Sequence, residues 1–118
     1  MFTKVAFIGH PVKDIARARK FYGEVLGLKN SMNHKDMWSE FDTPDGKSIS
    51  LDTMSPEGTG PYLALESDDI EAEVARLKGQ GVKFLLEIQD NKVCKMAIIE
   101  DSEGNKLMLH EMAAERKK

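Results

Sequence analysis

Cysteine is almost missing: Cys94 is the only one in 118 residues. One thiol cannot close an internal disulfide, so the framework of a small secreted protein is excluded and a reducing compartment fits. No apolar run approaches the length that spans a bilayer. Residues 1–8 are too short for a signal peptide and lack its cleavage pattern. Basic residues do not gather into one block, and the formal net charge is −3. Nothing therefore pulls the chain toward nucleic acid at long range. These absences predict a cytoplasmic protein with no nucleic-acid or membrane partner. The last four residues, 115–118, read as a solvated tail.

What is present is an ordinary globular composition, enough for one domain with a real core. It is organised by a repeat. Residues 99–112 read as a hairpin, two apolar strands around a turn at Gly104. Residues 41–54 carry the same pattern. Gly46, Ile49 and Leu51 fall on Gly104, Leu107 and Leu109, an offset of 58. Upstream, Asp14 and Ile15 fall on Asp69 and Ile70, an offset of 55. Asp14 is an N-cap candidate, followed by an apolar helix face of Ile15, Ala18, Tyr22, Val25 and Leu26 that Gly27 ends. Asp68 or Asp69 caps a second helix with Ile70, Val74 and Leu77 inward, stopped by Gly79 or Gly81.

Strands are predicted over residues 2–8, 37–41, 47–53, 62–66, 82–88, 93–100 and 106–112, with a weak one inside 28–36. The first is broken by Gly9-His10-Pro11. Residues 55–61, dense in Pro and Gly, form a linker between module one (about 1–54) and module two (62–112), with 113–118 as tail. Each half reads β-α-β-β-β. One half cannot cover both faces of its strands. The fold class is α+β: two βαβββ modules in a curved mixed sheet, helices on the outer face and a cup-shaped cavity inside.

Two stretches carry a family resemblance. Val12-Lys13-Asp14-Ile15 with Phe21-Tyr22-Gly23-Glu24-Val25-Leu26-Gly27-Leu28 is similar to the helix-1 signature of the vicinal oxygen chelate superfamily, which holds glyoxalases, bleomycin-resistance proteins and extradiol dioxygenases. Residues 100–109 resemble its closing motif, with Ser102 where proline is common. The resemblance covers nearly the whole chain and implies paired βαβββ modules, a cup-shaped site and a homodimer. It leaves function open among enzymes and pure binders.

The resemblance also implies four metal-ligand positions, which fall here on Phe7, Ser50, Tyr62 and Met108. A family metal wants imidazole and carboxylate. Phe offers no donor atom, Met is a soft thioether, and Ser and Tyr ligate poorly unless deprotonated. No metal and no other cofactor is expected. Strand alternation then lines the cup. Phe7, Ser50, Asp52, Tyr62, Met108 and His110 face in, with Trp38 and Glu40 from the first hairpin and Met96 and Ile98 from the last. This mix suits a small, partly apolar or aromatic ligand, and Trp38 is placed to stack on one.

Glu40 and His110 are the candidate catalytic residues: a carboxyl whose pKa burial would raise, and a base near neutral pH. His110 equally reads as a strand-end histidine paired with a carboxylate such as Asp52. Cys94 reads as a buried inert thiol with no basic neighbour but Lys95. The expected function is metal-free small-molecule binding. The alternative is a glyoxalase-like lyase or isomerase, or a dioxygenase relative, using Glu40 and His110 or a metal relocated to Asp52, His110 and Glu40.

Overall fold

A computed structural model describes residues 1–55 and 59–113. Residues 56–58 of the expected linker and 114–118 of the expected tail lie outside the described residues. Two units form. One is Phe7–Pro61; the other takes residues from Tyr62 onward together with Met1–Ala6. The long first strand β1, Phe2–Pro11, therefore gives its start to one unit and its end to the other.

In the first unit β1 leads into α1, Ile15–Lys20, then β2, Lys29–His34, β3, Trp38–Asp42, and β4, Ser48–Asp52. The strand order is β2-β3-β4-β1, with β1 parallel to β4 and the other pairs antiparallel. The second unit repeats this: β5, Tyr62–Ser67, α2, Ile70–Gly79, β6, Phe84–Asp90, β7, Cys94–Glu100, and β8, Lys106–Met112. Its order is β5-β8-β7-β6, with β5 parallel to β8. Each unit is thus a βαβββ module of α+β type, as the repeat predicts.

The two hairpins close alike. Gly46 (φ 84°) and Gly104 (φ 85°) take the left-handed conformation that a β-carbon would disfavour. Their N–H groups donate to Thr43 O and Asp101 O. The helices are capped as expected. Asp14 accepts from Arg17 N–H at 3.0 Å, and Asp69, rather than Asp68, accepts from Ala72 N–H at 3.1 Å.

Each helix buries one face of its own strands. Ile15, Phe41 and Leu51 form one core, with Ile49, Ala18 and Tyr22 against it. Ile70, Val74, Ala97, Ile99 and Leu109 form the other, with Leu107 and Leu77 against it. Ile49, Leu51, Leu107 and Leu109 thus pack beneath helices, and the residues between them point to the opposite face.

Two local readings are corrected. β1 does not break at Gly9-His10-Pro11. His10 and Pro11 pair with Leu51 and Asp52, and Val12 N–H donates to Asp52 O at 2.7 Å. The parallel ladder carries the strand to Pro11, at whose terminal position a missing N–H costs little. After Lys20 the first helix widens into one π turn, Phe21–Val25, with Leu26 N–H donating to Phe21 O. The wider turn changes the angular step per residue. Tyr22 stays packed against Phe41, ring centroids 5.8 Å apart, while Val25 and Leu26 are exposed rather than buried.

Candidate functional site

On the face of the first unit opposite α1, the register sets out short rows of side chains. Gly9, Ser50, Glu40 and Met32 lie side by side across β1, β4, β3 and β2. Pro11, Asp52, Trp38 and His34 form the next row. Phe7 and Trp38 meet edge to face at 5.5 Å and 87°, the arrangement that ring quadrupoles favour. The indole Nε1–H of Trp38 donates to Glu40 Oε2 at 2.7 Å. Glu40 is therefore half-buried and anchored to the ring.

Ser50 is fully buried, and its Oγ has no hydrogen-bond partner among the described residues. Asp52 is also buried, but it serves its own loop: Oδ1 accepts from Met54 N–H at 3.1 Å and Ser55 N–H at 2.7 Å.

The equivalent face of the second unit is more apolar. Ala64, Met108, Ile98 and Leu86 form one row and Glu66, His110 and Met96 the next. Tyr62, Ala64, Ile98, Met108 and His110 are all buried, and Met96 is half-buried.

His110 does have a carboxylate partner, and it is Glu66. Nδ1 lies 2.6 Å from Glu66 Oε1, and Glu66 Oε2 accepts from Met112 N–H at 2.8 Å. Glu66 was not among the expected site residues. The signal was present: the alternation that turns Tyr62 and Ala64 to this face turns Glu66 there too. Cys94, on β7, stands diagonal to His110 across the β7–β8 ladder.

Burial works against charge on His110. The hydrogen bonds to Cys94 and Glu66 outweigh it and lift the imidazole from 6.5 to about 9. Burial likewise pushes Glu66 up. The hydrogen bonds from His110 and from the Met112 N–H outweigh that and leave it below its ordinary 4.5. At neutral pH the ring is an imidazolium, a proton donor rather than the free base expected from the sequence.

The metal positions keep the donor chemistry read from the sequence. Phe7 and Ser50 occupy two in the first unit, Tyr62 and Met108 two in the second, and none is an imidazole or carboxylate. The residues do not fit the family's metal. Among the described residues no three His, Cys, Asp or Glu side chains converge as a metal site.

Two copies of a βαβββ unit, each with a helix on one face and a mixed aromatic, thioether and polar set on the other, define the class of paired-module glyoxalase-like proteins. The chain belongs to the Glyoxalase/Bleomycin resistance protein/Dioxygenase superfamily, whose sequence model matches residues 4–109. Solved structures share the fold. A hypothetical protein from Bacillus halodurans C-125 is 19% identical, with TM-score 0.74 and 98% of each chain covered. Methylmalonyl-CoA epimerase from Mycobacterium tuberculosis is 24% identical, with TM-score 0.71, covering 97% of this chain and 91% of that one. A Streptomyces coelicolor methylmalonyl-CoA epimerase in complex with 2-nitronate-propionyl-CoA is 20% identical, with TM-score 0.69 and 97% of each chain covered. No curated protein matches the chain.

Proposed function

We propose that the chain binds a small, partly apolar or aromatic molecule on the face carrying Phe7, Trp38, Glu40 and Ser50, without the family's metal. The observation that carries this reading is the Ser50 hydroxyl, fully buried and without a hydrogen-bond partner among the described residues. Such a group costs about 1–3 kcal/mol until something pairs with it. A ligand with one polar atom for Ser50 and a planar body for Trp38 removes that cost and covers apolar surface. The solved neighbour in complex with 2-nitronate-propionyl-CoA supports a small-molecule role for this fold. The four metal positions support a route without Lewis-acid chemistry, since none carries a suitable donor. The same reading includes a homodimer and a cytoplasmic setting, the former tested by light scattering.

Trp38 is the only tryptophan, so its fluorescence reports on this face alone. Phenol, indole and 4-hydroxybenzamide are titrated while fluorescence and melting temperature are followed. Saturable quenching with a melting temperature that rises with probe concentration is expected. Ser50→Ala and Trp38→Phe should each weaken the melting shift. No saturable change and no melting shift with any probe would reject the reading.

A further inference from the structure

Phe41 and Leu51 pack beneath α1, so strand alternation turns Trp38, Glu40 and Asp42 of β3 and Ser48, Ser50 and Asp52 of β4 to the other face. That face carries three carboxylates. Among its described strand residues the basic side chains are Lys29, opposite Asp42, and His34, opposite Trp38, both exposed on the edge strand β2. Asp52 is taken up by its own loop. Glu40 and Asp42 are half-buried, and each has a neutral donor on one oxygen. Trp38 Nε1–H donates to Glu40 Oε2 at 2.7 Å, and Ser48 Oγ–H donates to Asp42 Oδ1 at 2.9 Å. Glu40 Oε1 and Asp42 Oδ2 have no hydrogen-bond partner among the described residues. Ser50 stands directly across from Glu40, near enough for one bound atom to reach both side chains. Its hydroxyl is fully buried and also without a partner among the described residues. A partly desolvated carboxylate is costly until a donor or a cation meets it.

We infer that the ligand of this face is a small organic cation, a primary ammonium joined to an apolar or aromatic body. The inference rests on the proposed reading of the face as a ligand site and names the class of ligand it takes. An ammonium has three N–H donors and no acceptor. The face offers it acceptors alone: Glu40 Oε1, Ser50 Oγ across from it, and Asp42 Oδ2 further along β3. Charge-assisted bonds of this kind are the strong ones. The bond from Nε1 holds the Glu40 carboxylate at the edge of Trp38, so a cation on that carboxylate lies beside an indole, the ring that attracts cations best. Phe7, edge to face with Trp38, adds apolar surface for the rest of the ligand. A neutral molecule would use the rings and leave the carboxylates unpaired, and an acidic one would be repelled by them. A metal ion asks for three or more converging ligands, which the described residues do not offer; an ammonium is held by two acceptors and a ring.

The full chain is titrated at pH 7 with 2-phenylethylamine, 2-phenylethanol and phenylacetate, which share a phenyl ring and differ in charge. Trp38 fluorescence and melting temperature are followed. The amine, an ammonium at this pH, should half-saturate at a concentration about tenfold or more below the alcohol. Phenylacetate should bind most weakly of the three. Glu40→Gln should bring amine and alcohol to within about twofold of each other, with the alcohol little changed, and Asp42→Asn should weaken the amine by about threefold. Amine and alcohol binding alike to the unaltered chain overturns the inference and leaves the ligand site standing. No saturable change with any of the three overturns both. A folded Glu40→Gln that keeps the full preference for the amine also overturns the inference. The three probes on the unaltered chain decide it even if a variant fails to fold.

Discussion

The two units share one backbone plan and differ on one face. In the first, Pro11 stands beside Asp52; at the equivalent positions of the second, Glu66 stands beside His110. Proline has no side-chain donor to offer, and the Asp52 carboxylate accepts from the backbone N–H groups of its own loop. Glutamate can reach across, so His110 is held as a buried ion pair. One row away, Glu40 beside Ser50 becomes Ile98 beside Met108. The first unit retains polar groups around Trp38, one of them unpaired. The second has filled the same rows with Ile and Met and concentrated its charge in one pair. The residues beneath the helices, which the fold needs, are alike in the two units, and the opposite face differs.

The comparison is sharpest where the units should behave alike. Leu51→Ala and Leu109→Ala both empty fully buried positions beneath a helix. Each should cost about 4 kcal/mol by urea denaturation. A loss confined to one would show that the helix faces are not equivalent.

They should part at the next pair. Glu66→Ala strands a buried imidazolium and should cost about 3 kcal/mol at pH 7. Stability of the unaltered chain should follow the pair. The His110 contribution is complete below 6.5 and is lost as pH rises through about 9, roughly 3 kcal/mol in all. The Glu66 contribution is present above 4.5 and is lost as pH falls through its depressed value. In Glu66→Ala the alkaline loss should shrink, and an unchanged alkaline profile would break the assignment.

Asp52→Ala, at the position equivalent to His110, removes two hydrogen bonds to loop N–H groups. It should cost only about 1 kcal/mol, with little alkaline dependence. The smallest effect has the opposite sign. Ser50→Ala deletes an unpaired buried hydroxyl and should stabilise the chain by about 0.5 kcal/mol while weakening ligand binding. A clear loss of stability instead would mean that Ser50 is structural.

Much of the scaffold was legible because it repeats. Gly46 and Gly104, Asp14 and Asp69, and the leucine pairs 51 and 109 mark the same device twice, and period-two alternation assigns their faces. Three features were hidden, each for a physical reason. The passage of β1 through Pro11 depends on a parallel ladder with β4, which is remote in sequence. The π turn after Lys20 leaves no mark in the apolar spacing that Val25 and Leu26 complete. Glu66 was missed because its equivalent, Pro11, has no carboxylate, so the repeat itself gave no hint of a partner for His110.

The account turns on whether one register carries two chemistries, and His110 reports this most directly. The chain has three histidines, His10, His34 and His110, so their imidazole resonances can be separated and assigned by substitution. In an NMR pH titration His110 should remain protonated past pH 8 and lose its proton near 9, and Glu66→Gln should bring that midpoint down. A His110 that titrates near 6.5 and ignores Glu66→Gln would contradict the account.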